Sequence, residues 1–281
     1  MRPPAFAGSW YAGSSNRLRN QIEELFTHRL GPGSLPSVVK DGPRSVVGLV
    51  APHAGYMYSG PVAAHGYYQI AKDGKPDVIA IFSPNHTGRG SALAVMNEGL
   101  WRTPLGDVEI DTETADKILQ ESQIIDVDEM AHAYEHSIEL QLPFLQYLYG
   151  SDFKFVPICF MMQDLNSSRE VGKATAKALS GKNALVIAST DMSHYEPQER
   201  AEKKDRMALE AAIKMDEEKY YSIIESQAIS SCGYGPTIAA ITATKELGAN
   251  NAQLLCYKTS GDITGDYSGV VGYASMAFMK S

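Results

Sequence analysis

Four short apolar runs rich in β-branched residues punctuate the chain, at residues 46–50, 77–82, 153–160 and 184–188. Runs of this length between turn signals predict strands buried on both faces of a sheet. Between them the period lengthens to that of a helix. Leu18, Ile22, Leu25 and Phe26 form one amphipathic stripe, with Asn16 as its expected cap. Further helices are predicted at 61–71, 112–120, 131–149, 166–179, 198–214, 216–226 and 237–247. Residues 252–257 and 269–279 read as closing strands, and 92–111 as a short antiparallel excursion around Pro104-Leu105-Gly106. Residues 1–14 form an ordered arm rich in Pro, Gly and aromatics, and 31–43 a Gly/Pro-rich connection. The strand–helix–strand order over 46–82 predicts a parallel pair. No linker, repeat or low-complexity stretch divides the chain. The expectation is therefore a single α/β domain over residues 1–281, with a central mixed, largely parallel sheet flanked by helices.

Composition narrows the function more than the fold. A net charge of −8 without a long basic run argues against nucleic acid as the partner. The longest apolar runs are of strand length, short of the roughly 20 residues of a membrane span. The N-terminus lacks the apolar centre of a signal peptide. Three cysteines supply no disulfide framework, and a reducing cytoplasm is the expected location.

Chemistry gathers where strands end. The run at 46–50 leads into Pro52-His53, and the run at 77–82 into Pro84-Asn85-His86. Two parallel strands would deliver both histidines to the same sheet edge, where open α/β sheets bind ligands. A third run ends at Asp191-Met192-Ser193-His194. Cys232 precedes a helix whose first position is read as Pro236, and exposed amides there would lower its thiol pKa. Two readings stand for Cys232, a functional thiol or a small buried hydrophobe. The second also describes Cys159 and Cys256, inside apolar strands.

Two imidazoles and a thiolate or carboxylate on separate loops suit a metal site with open positions, Asp191 or His194 being a further ligand, an orienter or the general base. A competing motif, His132-Ala-Tyr-Glu135-His136, matches the H-x-x-E-H pattern of inverted zinc peptidases. A Cys232/His194/Asp191 nucleophilic hydrolase is a third arrangement, which leaves His53 and His86 without a role.

Six segments taken together are more specific than any one: Phe6-Ala-Gly-Ser-Trp-Tyr11, Ala51-Pro-His-Ala-Gly-Tyr56, Ser83-Pro-Asn-His86, Glu135-His-Ser-Ile-Glu139, Asp191-Met-Ser-His194 and Cys232-Gly233. In this order the chain resembles the Memo family over essentially its whole length. That family is similar in fold to the class III extradiol dioxygenases of the LigB type. The resemblance implies His53, His86 and Cys232 as metal ligands, with Cys232 where the dioxygenases have a glutamate. It implies Asp191 and His194 as catalytic residues, and Trp10, Tyr56 and His136 as ligand-binding residues. The implied cofactor is a divalent or copper(I) ion, iron(II) or copper first and zinc after them. A thiolate in place of a carboxylate softens the site. The implied function is a metal-dependent oxidoreductase acting on a small molecule. The alternative is a pocket that binds a peptide or small ligand without turnover.

Overall fold

The computed structural model describes residues 1–281. Its strands are β1 (Val46–Ala51), β2 (Val78–Pro84), β3 (Leu93–Val95), β4 (Leu100–Thr103), β5 (Gly106–Ile110), β6 (Asp126–Val127), β7 (Lys154–Phe160), β8 (Ala184–Ser189), β9 (His194–Glu196), β10 (Asn251–Thr259) and β11 (Val270–Met279). Its helices are α1 (Ser15–Thr27), α2 (Tyr56–Ala71), α3 (Thr112–Glu121), α4 (Met130–Ala133), α5 (His136–Glu139), α6 (Leu142–Tyr149), α7 (Leu165–Leu179), α8 (Gln198–Ile213), α9 (Glu217–Ser226), α10 (Tyr234–Glu246) and α11 (Ser260–Thr264).

The sheet runs in the order β10-β11-β1-β8-β2-β7-β3-β6, with the β4–β5 hairpin and β9 attached at its sides. Its middle, β1-β8-β2-β7, is parallel, while β11, β10 and β3 join antiparallel. Side chains of the parallel strands alternate between two cores. Val78, Ala80 and Phe82 face one core with Val186 and Ala188, and Ile79 and Ile81 face the other with Leu185 and Ile187. Burial on both faces is why these runs are continuously apolar in sequence. β8 lies between β1 and β2, so the three strands that carry the candidate residues are adjacent and end at one edge.

Four helices depart from the sequence reading: α1 is capped at Ser14 rather than Asn16, α10 starts at Tyr234 with Pro236 inside it rather than first, and two differ more. α2 begins at Tyr56, one turn before Pro61, and the Tyr56 amide donates to the Trp10 carbonyl. Pro61 is accommodated near the N-terminal end, where Met57 and Tyr58 are exposed and water can serve their carbonyls. Residues 131–149 form three short helices rather than one. Arg2 divides them by donating from Nε to the His132 carbonyl (2.7 Å) and from Nη2 to the Glu135 carbonyl (2.7 Å). The Glu135 side chain accepts from the Ser137 amide and restarts the helix at α5. No helix is long and apolar enough to cross a membrane.

Candidate metal centre

The C-terminal ends of β1, β2 and β8 deliver His53, His86 and Ser189 to one edge of the sheet. The N-terminus of α10 brings Cys232 in from the side. A Cβ at Gly233 would stand 2.6 Å from the Ser189 carbonyl, so the close approach that seats Cys232 requires glycine there. The ligand atoms of His53, His86 and Cys232 all lie within 4.8 Å of one another. Donors on one tetrahedral ion stand roughly 3.3–3.8 Å apart at zinc-like bond lengths, so a closure of about 1 Å completes the set.

Hydrogen-bond partners decide which ring nitrogens face this space. The Ser189 hydroxyl donates to the Ser137 carbonyl (2.8 Å) and therefore accepts from His53 Nδ1 (2.9 Å). That leaves His53 Nε2 unprotonated, 3.2 Å from Cys232 Sγ. Glu135 Oε1 lies 2.9 Å from His86 Nδ1, and a carboxylate can only accept, so His86 also presents Nε2. Each ligand thus has its outer nitrogen held by a hydroxyl or carboxylate, the usual way a protein aims a metal-binding imidazole. The donor set fits a borderline or soft ion with further coordination positions open.

Glu135 with His86 and His136 forms a second close group. Its carboxylate is already saturated. Oε1 accepts from His86 Nδ1, the Ser137 amide (3.0 Å) and the Ser137 hydroxyl (2.7 Å), and Oε2 from the His86 amide (2.6 Å). Glu135 is therefore an orienter of His86 and not a ligand. Burial works to raise its carboxyl, but the hydrogen bond from His86 and the nearby His86 and His136 charges hold it down at about 2.

Asp191 is buried and its Oδ1 accepts from the His53 amide (2.8 Å). Burial pushes its carboxyl up to about 6 against that hydrogen bond and the nearby His194 and His86 charges. His194 Nδ1 lies 2.8 Å from both the Met192 and Ser230 carbonyls. Carbonyls only accept, so Nδ1 holds a proton and Nε2 is the nitrogen left to face a ligand. His136 stacks on His86, ring centroids 4.4 Å apart, and packs tilted at 43° against Trp10 at 4.3 Å. Trp10 also borders a cavity of about 570 Å³ with Ala54, Gly55, Tyr58, Tyr195 and Tyr273. Ala54 and Tyr195 directly follow His53 and His194, which sets this cleft beside the cluster.

Four expectations need correction. Tyr56 is 2% exposed with its hydroxyl on the Leu140 carbonyl (2.7 Å), so it packs the core and does not face a ligand. The Cys232 thiol is pushed up rather than down, because burial and the neighbouring Asp191 carboxylate outweigh the Asp191 amide that points at its sulfur. The H-x-x-E-H zinc site is not formed, because His132 is fully buried on α4, apart from His136 on α5. Nor does a Cys232/His194/Asp191 line exist, since Cys232 pairs with His53 and His194 Nδ1 turns to carbonyls.

The residues that the motifs left without a role are Arg2, Gln141, Ser189 and, as an orienter, Glu135. Glu139 pins the N-terminal arm. It accepts from Arg2 Nη1 (2.6 Å), the Ala5 and Phe6 amides and the Tyr11 hydroxyl (2.6 Å). A buried acid three residues after His136 and an arginine at position 2 are the only sequence traces of this anchor.

Neither ring nitrogen of His132 has a hydrogen-bond partner. Burial, with the Arg2 charge, lowers its pKa from 6.5 to about 3. Between those values the unfolded chain binds a proton that the folded chain does not. The stabilising term is fully present above about pH 6.5 and is lost as pH falls toward 3, on the order of 5 kcal/mol in all. His132→Phe is expected to shrink the drop in melting temperature between pH 7 and pH 4. Parallel acid limbs for the two proteins would refute this.

Comparison with known proteins agrees with the fold. The chain is 52% identical over 281 residues to a MEMO1 family protein of Methanopyrus kandleri, covering 99% of both. It is 49% identical over 279 residues to one of Methanothermobacter thermautotrophicus, covering 99% of this chain and all of that one. Among solved structures, an uncharacterized protein from Escherichia coli K12 shares the fold with a TM-score of 0.59 at 13% identity, covering 83% of this chain and 99% of the other. A family model described as Memo-like protein matches residues 2–277, and with relatives of this identity along the full length, the chain belongs to the Memo family.

Proposed function

We propose that the His53/His86/Cys232 cluster binds a metal ion and that the protein is a metal-dependent oxidoreductase of small phenolic molecules. The observation that carries the metal reading is the paired orientation of the two imidazoles. Ser189 and Glu135 hold the Nδ1 atoms, so both Nε2 atoms are presented to the space beside Cys232 Sγ. Iron(II) or copper is the expected ion, with zinc after them, because two imidazoles and a thiolate span borderline to soft preferences. When bound, such an ion supplies Lewis acidity and, for iron or copper, one-electron chemistry.

The chain's own residues provide the rest. His194, its Nδ1 held by two carbonyls, presents Nε2 and acts as the general base toward the ligand. Asp191 fixes the backbone of His53 through its amide. Trp10, backed by His136, offers an aromatic face to a planar ligand in the adjoining cleft. The deciding experiment is anaerobic metal analysis combined with oxygen consumption on catechols. His194→Ala should keep the metal and lose turnover. Ligand competition with no turnover on any phenol would leave only the non-catalytic reading, in which the same pocket binds a peptide or small ligand.

A second reading has its own observation. Sγ of Cys232 at 3.2 Å from His53 Nε2, with Nδ1 held by Ser189, also has the shape of a thiol–imidazole nucleophile pair. His86 separates the two. His86→Ala should weaken metal uptake, whereas a nucleophile pair would keep its reaction with iodoacetamide and its activity in that variant.

A further inference from the structure

A chain of buried polar side chains runs from the core to His53, and packing does not require it. Tyr67 lies in the middle of α2 and is fully buried, its ring stacked on Phe144 at 4.5 Å. Its hydroxyl donates to Gln141 Oε1 (2.5 Å). Gln141 sits between α5 and α6, 1% exposed, and its Nε2 donates to Ser189 Oγ (2.7 Å) and to the Pro52 carbonyl (3.1 Å). The Pro52 carbonyl fixes the amide, since a flipped Gln141 would set two acceptor oxygens against each other. Ser189 Oγ then has every position filled. It accepts from Gln141 and His53 Nδ1 and gives its one proton to the Ser137 carbonyl (2.8 Å).

Each partner's direction follows from the one before it. Tyr67 and the Pro52 carbonyl orient Gln141, and Gln141 and the Ser137 carbonyl orient the hydroxyl. The hydroxyl in turn can only accept from His53. A phenylalanine, a leucine and an alanine would fill the same space without desolvating three polar side chains, so stability does not account for the arrangement. What it does account for is the state of one ring. Were the hydroxyl free to rotate, His53 could hold its proton on Nε2, the atom that faces Cys232.

We propose that Ser189, set by Gln141 and Tyr67, is a positioning residue that holds His53 in its Nδ1–H tautomer and aims Nε2 at the ion site. This rests on the metal-centre reading above, but the tautomer can be measured without any metal.

The first measurement is a two-bond proton–nitrogen correlation on metal-free protein carrying ¹⁵N-histidine, with the His53 signals assigned through His53→Ala. Wild type is expected to show Nδ1 protonated and Nε2 bare. Ser189→Ala should show a mixture or the reverse. The second is anaerobic cobalt(II) binding in competition with a chromophoric chelator. Ser189→Ala should lose about 10- to 100-fold in affinity, as outer-shell changes do, and alter the thiolate-to-cobalt absorption. Ser189→Thr, which keeps the hydroxyl, should recover most of that loss. Tyr67→Phe, a milder change on a helix remote from the ion, should move both readouts in the same direction by a smaller amount. Thr242→Val, which removes a buried hydroxyl bonded to Ile238 on α10, should lower the melting temperature and leave both readouts unchanged.

An Nε2–H tautomer of His53 in the wild type overturns the proposal. So does a Ser189→Ala protein that binds cobalt(II) with wild-type affinity and spectrum. A wild type that takes up no cobalt(II) overturns the metal-centre reading and this purpose for Ser189 together. A wild type that binds, beside an unaffected Ser189→Ala, overturns the role of Ser189 alone.

Discussion

His53→Ala is expected to lose tight metal uptake, by more than the roughly 100-fold that an outer-shell change brings. His53 combines three properties that make it the least replaceable member of the cluster. It is 1% exposed, its Nε2 lies 3.2 Å from Cys232 Sγ, and its Nδ1 is held by Ser189. His86, more open to solvent, should cost less when replaced, because water can occupy the vacated position. Cys232→Ser should reverse the order of preference, retaining zinc better than copper(I), since it exchanges a soft donor for a hard one. His132→Phe should load metal as the wild type does. Uptake is read by competition with a chelator of known affinity under anaerobic conditions, with thermal melts to show that each variant is folded. If His132→Phe lost the metal while His53→Ala kept it, the cluster would be the wrong site.

Much of this centre was legible because both candidate histidine ligands follow a strand whose burial is visible as an apolar run. Val46 to Val50 and Val78 to Phe82 are apolar on both faces, and the helix between them makes the two strands parallel, so His53 and His86 could be placed at one edge. The insertion of β8 between β1 and β2 left no local trace, since register and neighbour order are decided by which faces pack together. Long-range hydrogen bonds hid the rest. Whether residues 131–149 form one helix or three depends on Arg2, more than a hundred residues away, taking the His132 and Glu135 carbonyls. A periodicity argument cannot see that contact. The Cys232 thiol was misjudged for a related reason. A helix N-terminus favours thiolate in open solvent, but here the desolvation and the Asp191 carboxylate are set by the packing of α10 against β8. Tyr56 was misplaced because a tyrosine beside a histidine loop reads equally well as a core or a pocket residue.

Arg2→Ala is expected to be among the most destabilising single changes away from the core, although residue 2 lies in a terminal arm. Its guanidinium and the Glu139 carboxylate are 2.6 Å apart with side chains 3% and 0% exposed. Truncating one partner of a buried pair leaves the other charge without compensation, at a cost of about 3–5 kcal/mol. In a chain of this size that lowers the melting temperature by roughly 5–9 °C. Arg2 also serves the His132 and Glu135 carbonyls, stacks on Trp101 at 4.1 Å and ties the arm to β4 through its backbone. The same substitution should therefore loosen the turn that presents Glu135 to His86, and metal affinity should fall together with stability. Replacing both members, Arg2→Met with Glu139→Gln, separates these effects. The double variant removes the uncompensated charge, so it should recover part of the lost stability. It should not recover the metal affinity, because the Glu135 carbonyl remains without its donor. Thermal melts and chelator competition on the three proteins give the comparison. A single Arg2→Ala variant that melts within about 2 °C of the wild type would show that the arm is held by its aromatic contacts and not by the ion pair.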